Sequence, residues 1–266
     1  MNPAAPRTQP ATATARRRIV AIASGKGGVG KTWLAITLTH ALARMGRSAL
    51  LFDGDLGLAN VDVQIGLKPA RDLGGVIAGR TSLRGARVTI PGCGFDVVAG
   101  ASGSGNLALL PATRIHTLGD ELVALAASYD NAVIDIGAGL DRPARMLAAR
   151  ADTCLVVATD EPTSLTDAYA FIKMMRMDGA GNEIAVVVNM AASERDGERT
   201  YNTLAKACES FLKFRPALLG LIRRDVRVAD AIRAQTPLLV RHPHCEAAND
   251  VNVLARRIVT ETADPR

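Results

Sequence analysis

The sequence has few cysteines and no long apolar run. Its four cysteines, Cys93, Cys154, Cys208 and Cys245, lie far apart and form no C-x-x-C pair. This spacing argues against a dedicated zinc or iron–sulfur site and favours a reducing compartment. No stretch reaches the roughly 18 apolar residues that a membrane span requires. We therefore expect a cytoplasmic protein that is soluble, or at most peripheral to the inner face of the cell membrane.

Acidic residues are absent from the first 18 positions, which carry Arg7, Arg16, Arg17 and Arg18. These arginines supply most of the formal net charge of +6, so the remaining chain is nearly neutral. The segment is rich in Ala, Pro and Thr, without a helical or strand period. We expect a disordered basic tail over residues 1–18 and a single folded domain over 19–266. A transit peptide is an alternative for the tail, whereas the lack of an apolar segment argues against secretion.

Short apolar runs alternate with longer helical patterns along the rest of the chain. The runs predict strands at 19–23, 49–52, 95–99, 132–136, 154–158, 184–188 and 217–222. The helical patterns predict helices at about 30–45, 113–128, 142–150, 163–177, 196–213, 226–234 and 246–262. Ser164 and Asp167 have the spacing of an N-cap pair. This alternation predicts an α/β fold of three layers, in which a mostly parallel sheet has helices on both faces.

A glycine-rich segment between the first strand and the first helix indicates a phosphate site. Residues 25–32 read GKGGVGKT and satisfy the P-loop pattern G-x-x-x-x-G-K-[ST]. In such a loop the backbone N–H groups and the helix N-terminus bind phosphate oxygens. Lys31 then reaches the β- and γ-phosphates, and the hydroxyl of Thr32 binds Mg²⁺. We predict that the nucleotide contacts Gly25, Gly27, Gly28, Val29, Gly30, Lys31, Thr32 and Trp33.

Carboxylates follow two of the predicted strands. Asp53 ends one buried run, and Asp55 lies two residues further on. Asp135 lies near the end of another run, just before the flexible segment at 137–139. Carboxylates at the C-terminal edge of a parallel sheet can serve a magnesium shell and an attacking water. We predict that these three side chains belong to the nucleotide site.

These elements resemble the MinD/ParA family of P-loop ATPases. In that family the loop carries an extra lysine near its start, which corresponds to Lys26. The resemblance implies that ATP and Mg²⁺ are the cofactors and that the ATP-bound state is a homodimer. It also implies that Lys31 serves the ATP of its own subunit, whereas Lys26 serves the ATP of the partner as a cation supplied in trans.

Three segments are most similar to one group of that family, the FlhG proteins, also called FleN or YlxH. Residues 53–62 read DGDLGLANVD, residues 160–169 read DEPTSLTDAY, and residues 187–190 read VVNM. This likeness implies a role in flagellar number or placement, together with a protein partner. It also implies that Asp55 positions the attacking water, that Asp53 and Asp135 lie on the magnesium side, and that Asn189 contacts adenine.

Two positions depart from the family pattern. Trp33 stands where relatives carry a small or polar residue near the α-phosphate, and Arg223 replaces the proline of a usual Ile-Pro-x-Asp. Four alternatives therefore stay open: a septum-site ATPase, a chromosome or plasmid partition ATPase, a catalytically weak nucleotide-binding scaffold, and a metal-cluster carrier of the same superfamily. The cysteine spacing argues against the last.

Two surfaces could address such a switch. The predicted last helix could bind a membrane, although its apolar positions favour packing in the core. Nonspecific DNA is the less favoured alternative, because helical periodicity scatters the six arginines of residues 215–241. The short segment from His242 to Cys245 has metal-ligating residue types, but a loop before the last helix fits it better.

Overall fold

The structure is a computed structural model that describes residues 18–100 and 110–260. Eight strands form one sheet in these ranges. They are β1 (Arg18–Ala23), β2 (Ala49–Gly54), β3 (Arg87–Thr89), β4 (Asp96–Val98), β5 (Asn131–Ile136), β6 (Thr153–Ala158), β7 (Glu183–Ala191) and β8 (Ala217–Arg223). All seven predicted strands are confirmed. The strand β3 was not predicted, because it is three residues long and alternates between exposed and half-buried positions.

The helices also follow the predicted order. They are α1 (Lys31–Arg44), α2 (Val61–Ile65), α3 (Leu73–Ile77), α4 (Ala112–Ala126), α5 (Arg142–Ala148), α6 (Pro162–Met177), α7 (Glu194–Leu212), α8 (Val226–Arg233), α9 (Leu238–Arg241) and α10 (Glu246–Thr260). The seven predicted helices are confirmed, with ends that agree within two residues wherever the ends are described. The short helices α2, α3 and α9 were not predicted, because one turn has too few positions to show a period.

The sheet has the order β3-β4-β2-β5-β1-β6-β7-β8, and every neighbouring pair is parallel except β3 with β4. One apolar cluster packs α4, α5, α6 and α7 on one face, and a second packs α1, α8, α9 and α10 on the other. Burial on both faces explains why the strands read as continuous apolar runs. The predicted three-layer α/β fold is confirmed.

Two boundary predictions need correction. Arg18 was assigned to the tail, but it begins β1 and its guanidinium donates to Glu183 at 2.7 Å. The other tail positions lie outside the described residues. Ser164 was predicted to cap a helix, but α6 already begins at Pro162, and the Ser164 hydroxyl accepts from the Thr159 N–H at 3.0 Å. Proline is favoured in the first turn because it has no N–H to leave unpaired.

The last helix, α10, packs into the core along one side. Its buried positions include Val251, Leu254, Ala255 and Ile258, the stripe that the sequence predicted as a core face. These residues contact the cluster that holds α1 and β8 together. Within residues 18–100 and 110–260, no helix is both long and apolar enough to cross a membrane.

Candidate nucleotide site

The glycine-rich loop connects β1 to α1 at the C-terminal edge of the sheet. Gly30 has a φ of 90°, and a Cβ there would stand 2.5 Å from Nδ2 of Asn189. A Cβ at Gly25 would overlap the backbone carbonyl of Asp167 in α6. Both positions therefore require glycine, one for its conformation and one for close packing. The loop is fixed from two sides, by α6 and by the end of β7.

The N-terminus of α1 faces this loop with its first backbone N–H groups. Gly30 is the N-cap residue, and among the described residues no side chain caps this helix. The first turn also contains no acidic residue. Free N–H groups and the positive end of the helix dipole form a site for an anion such as phosphate.

The two lysines of the loop lie in different environments. Lys31 is buried, and its Nζ donates to Oγ of Ser24 at 2.9 Å. Burial lowers the pKa of Lys31, while the nearby carboxylates of Asp135 and Asp55 oppose that shift. Lys26 instead lies at the surface, where its Nζ donates to Glu161 at 2.6 Å and to the hydroxyl of Thr163 at 2.9 Å. One lysine is thus inside the cradle and the other is outside it.

The predicted carboxylates of β2 and β5 stand side by side. Asp53 and Asp135 are register partners, and both are fully buried. Oδ1 of Asp53 accepts the N–H of Asp55 and Oδ2 accepts the N–H of Val61, each at 3.2 Å. Burial raises the pKa of Asp53 to about 7. The structure therefore ties Asp53 to the segment that carries Asp55.

Asp135 is bonded differently from Asp53. It forms a side-chain hydrogen bond with Thr32, which lies in the first turn of α1. Its Oδ1 is buried without a hydrogen-bond partner in residues 18–100 and 110–260. Burial, together with the charge of Asp53, raises the pKa of Asp135 above its ordinary range, whereas Thr32 and Lys31 act to lower it. A buried carboxylate oxygen without a partner fits a site that a cation and its water complete.

Asp55 lies between the end of β2 and the loop after β5. Its Oδ1 accepts the N–H groups of Gly57 at 3.1 Å and Leu58 at 2.8 Å, which closes a tight turn. A Cβ at Gly137 would stand 3.1 Å from the same oxygen. The structure thus brings the three predicted carboxylates to one edge of the sheet, next to Lys31.

A cavity of about 340 Å³ adjoins the loop on the side of β8. Trp33 and Asn189 are part of its wall, together with Gly30, Met190 and residues 223–226, 228, 229 and 232. Nδ2 of Asn189 donates to the carbonyl of Val29 at 2.8 Å, which ties the end of β7 to the loop. The mostly apolar wall, with one side-chain amide, suits a nucleobase.

The Arg223 departure has a structural partner. Its guanidinium donates to both oxygens of Asp250, at 3.0 and 2.8 Å, and to Glu246 at 2.8 Å. Its backbone N–H also donates to Asp250 at 2.9 Å. Proline could make none of these bonds. The loop after β8 is therefore held by α10.

Metal-ligating residue types were also sought elsewhere. In the described part of the chain, no three His, Cys, Asp or Glu side chains converge as a metal cluster. Mg²⁺ binds through one or two protein groups together with phosphates, so the pair Thr32 and Asp135 fits it without such a cluster. His242 bonds to Asp230 at 2.7 Å, and Cys245 is buried at the start of α10.

Comparison with known proteins agrees with this geometry. Residues 20–238 match the family described as the CobQ/CobB/MinD/ParA nucleotide binding domain. The chain belongs to this family. The MinD/ParA resemblance inferred from the loop and its carboxylates is thus confirmed, and ATP with Mg²⁺ is its cofactor pair.

Individual relatives of this MinD/ParA protein carry flagellar and cell-division names. It is 36% identical to the antiactivator FleN of Pseudomonas aeruginosa over 91% of the chain and 86% of that protein. It is 32% identical to the flagellum site-determining protein YlxH of Helicobacter pylori over 73% of the chain and 65% of that protein. The septum site-determining protein MinD of Pyrococcus horikoshii, complexed with Mg-ADP, has a TM-score of 0.77 at 27% identity and covers 91% of the chain and 96% of its own.

Sequence reasoning missed the contacts that surround Lys26 and Lys31. Ser24 precedes the motif, and its hydroxyl joins the two lysines by accepting from Lys31 and donating to the carbonyl of Lys26 at 2.6 Å. Glu161 and Thr163 lie more than 130 positions away along the chain. The pairing of β1 with β6 was the signal, since the segment after β6 must then end beside the loop.

Proposed function

We propose that the chain is an ATP-driven switch that dimerises with ATP bound and hydrolyses it when Lys26 of each protomer reaches the nucleotide of its partner. The observation that carries this proposal is the separation of the two lysines. Lys31 is 8% exposed inside the cradle, whereas the Lys26 side chain is 36% exposed outside it. A surface cation beside a phosphate site is positioned to serve a second subunit.

The other site residues support hydrolysis in cis. Mg²⁺, when bound with the nucleotide, would neutralise charge that develops on the phosphates. Thr32 would contribute its hydroxyl to the ion, and Asp135 would hold the ion's water through its unpartnered oxygen. Asp53 would act indirectly, because both of its oxygens already accept backbone N–H groups. Asp55 would position the attacking water, and Asn189 would contact the adenine.

The cellular role that we propose is regulation of flagellar number or placement through a protein partner in the cytoplasm. Its support is the likeness to FleN and YlxH, together with the three segments around Asp55, Glu161 and Asn189. Deleting the gene in its host and counting flagella per cell tests this role. An unchanged flagellar count with misplaced septa or lost replicons would instead support a septum-site or partition ATPase.

The surface chemistry favours a protein as the target of the switch. The apolar side of α10 is buried against α1 and β8, so this helix offers little to a bilayer. Four of the six arginines proposed for DNA are engaged in ion pairs, which lowers the free positive charge there. These four are Arg215, Arg223, Arg227 and Arg241.

Mixing two inactive variants tests the trans role. Lys26→Ala keeps Asp55 in its own site, and Asp55→Ala keeps Lys26 for its partner. If Lys26 acts in trans, the mixed dimer has one complete site, and an equimolar mixture recovers about a quarter of the wild-type turnover by random pairing. If Lys26 acts in cis, every site lacks one group and no turnover returns. Intact ATP binding by Lys26→Ala is the control.

The Asp55→Ala protein also tests the surface, because it should hold the ATP dimer. Light scattering with and without ATP reports its mass, and the same samples are applied to anionic liposomes and duplex DNA. We expect an ATP-dependent dimer that binds neither. ATP-dependent binding to liposomes would point to a membrane-positioned switch, and binding to DNA would point to a partition ATPase. A wild-type protein that binds ATP without turnover at any concentration would instead be a scaffold.

A further inference from the structure

The contact that holds Lys26 is the most specific feature near the site that the proposed function leaves unexplained. Its Nζ donates to Glu161 at 2.6 Å and to the hydroxyl of Thr163 at 2.9 Å, which occupies two of the three ammonium donors. Both acceptors belong to the first turn and N-cap of α6 of the same subunit. In this arrangement Lys26 is bound within its own protomer.

The fold fixes this contact rather than leaving it to chance. β1 and β6 are parallel neighbours, so the segments that follow them meet at the same sheet edge. Gly25 packs directly on the backbone of Asp167 in α6, which sets the distance between the loop and that helix. The hydroxyl of Ser164 accepts the N–H of Thr159 and holds the turn before the helix. Lys26 and Glu161 are therefore carried by two segments that cannot easily separate.

The carboxylate of Glu161 has no other function in the described structure. It stands at the N-cap position of α6, where side chains commonly bond a first-turn N–H, yet it makes no such bond among the described residues. Its hydrogen bond is to Lys26, and the interaction with that lysine lowers the pKa of Glu161. The residue therefore looks toward the loop lysine and not toward its own helix.

We propose that Glu161 is a positioning residue that holds Lys26 in an inactive place until a second ATP-bound subunit competes for it. This inference rests on the proposed trans role of Lys26. A carboxylate and a phosphate compete for the same ammonium group, so Lys26 must leave Glu161 to serve the partner's nucleotide. Thr163 adds a second, neutral acceptor to the same hold. Dimerisation then includes the cost of releasing one such contact in each subunit.

The hold is weak enough to be reversible. Both side chains are partly exposed, 36% for Lys26 and 62% for Glu161. Exposed ion pairs of this kind change an equilibrium by up to about fivefold, and two are released per dimer. Removing them should therefore lower the protein concentration that gives half-maximal turnover by about 2-fold to about 25-fold.

The test is ATP turnover per protomer as a function of protein concentration, in wild type and Glu161→Ala. We expect Glu161→Ala to lower the half-maximal concentration and to leave the plateau rate unchanged, and Thr163→Val to produce a smaller shift in the same direction. Glu183→Ala is the matched control, because Glu183 forms an exposed ion pair with Arg18 at 2.7 Å on the opposite side of β6 and β7 from the site. It should leave both quantities unchanged.

The remaining outcomes separate this inference from the proposed function. If Lys26→Ala keeps wild-type turnover, the trans role fails, and the hold on Lys26 loses its meaning with it. If Lys26→Ala is inactive and Glu161→Ala has the same half-maximal concentration as Glu183→Ala, the function stands and the inference is overturned. A reduced plateau rate in Glu161→Ala would also overturn it, because Glu161 would then act within the active dimer.

Discussion

The phosphate side and the base side of the site differ in how tightly they are built. On the phosphate side, Lys31, Asp53 and Asp135 are buried side chains bonded or adjacent to one another. On the base side, a cavity of about 340 Å³ remains, and Val226 at its rim is 82% exposed. The first region leaves little freedom for substitution, whereas the second tolerates it.

This difference explains where the chain departs from its family. Trp33 and Arg223 both lie on the wall of the base-side cavity, where there is room for a larger side chain and for new partners. Arg223 recruits Asp250 and Glu246 from α10. The residues predicted to act on phosphate and magnesium show no such departure. The chemistry requires fixed distances there, while the base is held by a surface that can be rebuilt.

The largest expected effect comes from breaking the tight region at Gly25. Gly25→Ala places a methyl group on the backbone of Asp167, which cannot move aside as a side chain could. We expect a loss of about 3 kcal/mol of unfolding free energy, or a loop displaced enough to lose nucleotide binding. Urea unfolding measures the first effect. Fluorescence of Trp33, the single tryptophan, measures the second during ADP titration.

Gly27→Ala is the control for this prediction. A Cβ at Gly27 would stand 3.9 Å from its nearest neighbour, the Cβ of Ala138, so the added methyl group fits. Its unfolding free energy should stay within about 0.5 kcal/mol of wild type. Equal losses in the two variants would mean that close packing does not distinguish these positions, and the contrast between the two regions would be lost.

How much the sequence could predict follows the same division. The loop, its helix and the carboxylates Asp53, Asp55 and Asp135 were identified because each lies at the end of a buried strand, and parallel strands bring those ends together. Lys26 was identified as unusual, but its partner Glu161 was not, since a contact between distant segments depends on strand order. Strand order is set by packing and not by local pattern. The helix start at Pro162 was misjudged because Ser164 bonds elsewhere.

A pH titration sharpens the comparison with a buried polar group that has no ligand to serve. His40, in α1, is 3% exposed, its ring packs 5.7 Å from that of Phe95, and burial lowers its pKa to about 4. The folded state therefore stays neutral while the unfolded state gains a proton below its ordinary pKa of about 6.5. Stability contributed by the neutral ring is present above about pH 6.5 and is lost as pH falls toward about 4.

The measurement is unfolding free energy from pH 7 to pH 4 in wild type and His40→Leu. We expect the variant to lose about 2 kcal/mol less than wild type across that interval, because it has no proton to take up on unfolding. His116→Leu, in which an exposed histidine of α4 is removed, should follow the wild-type curve. Parallel curves for wild type and His40→Leu would contradict a depressed pKa at His40.

The smallest expected effect tests whether the base side really tolerates change. Arg223→Ala removes the bonds to Asp250 and Glu246 but keeps the backbone N–H that also bonds Asp250. We expect a loss of about 1 kcal/mol of unfolding free energy, because the pair is only partly buried and Asp250 keeps one donor.

Restoring the family residue gives a sharper form of the same test. Arg223→Pro loses the backbone donor as well, so Asp250 is left without any of its Arg223 bonds and the loss should exceed that of Arg223→Ala. Arg224→Ala, at the exposed neighbouring position, should change stability by less than about 0.5 kcal/mol. If proline proved as stable as arginine, α10 would not be holding this loop, and the base side would owe its shape to β8 alone.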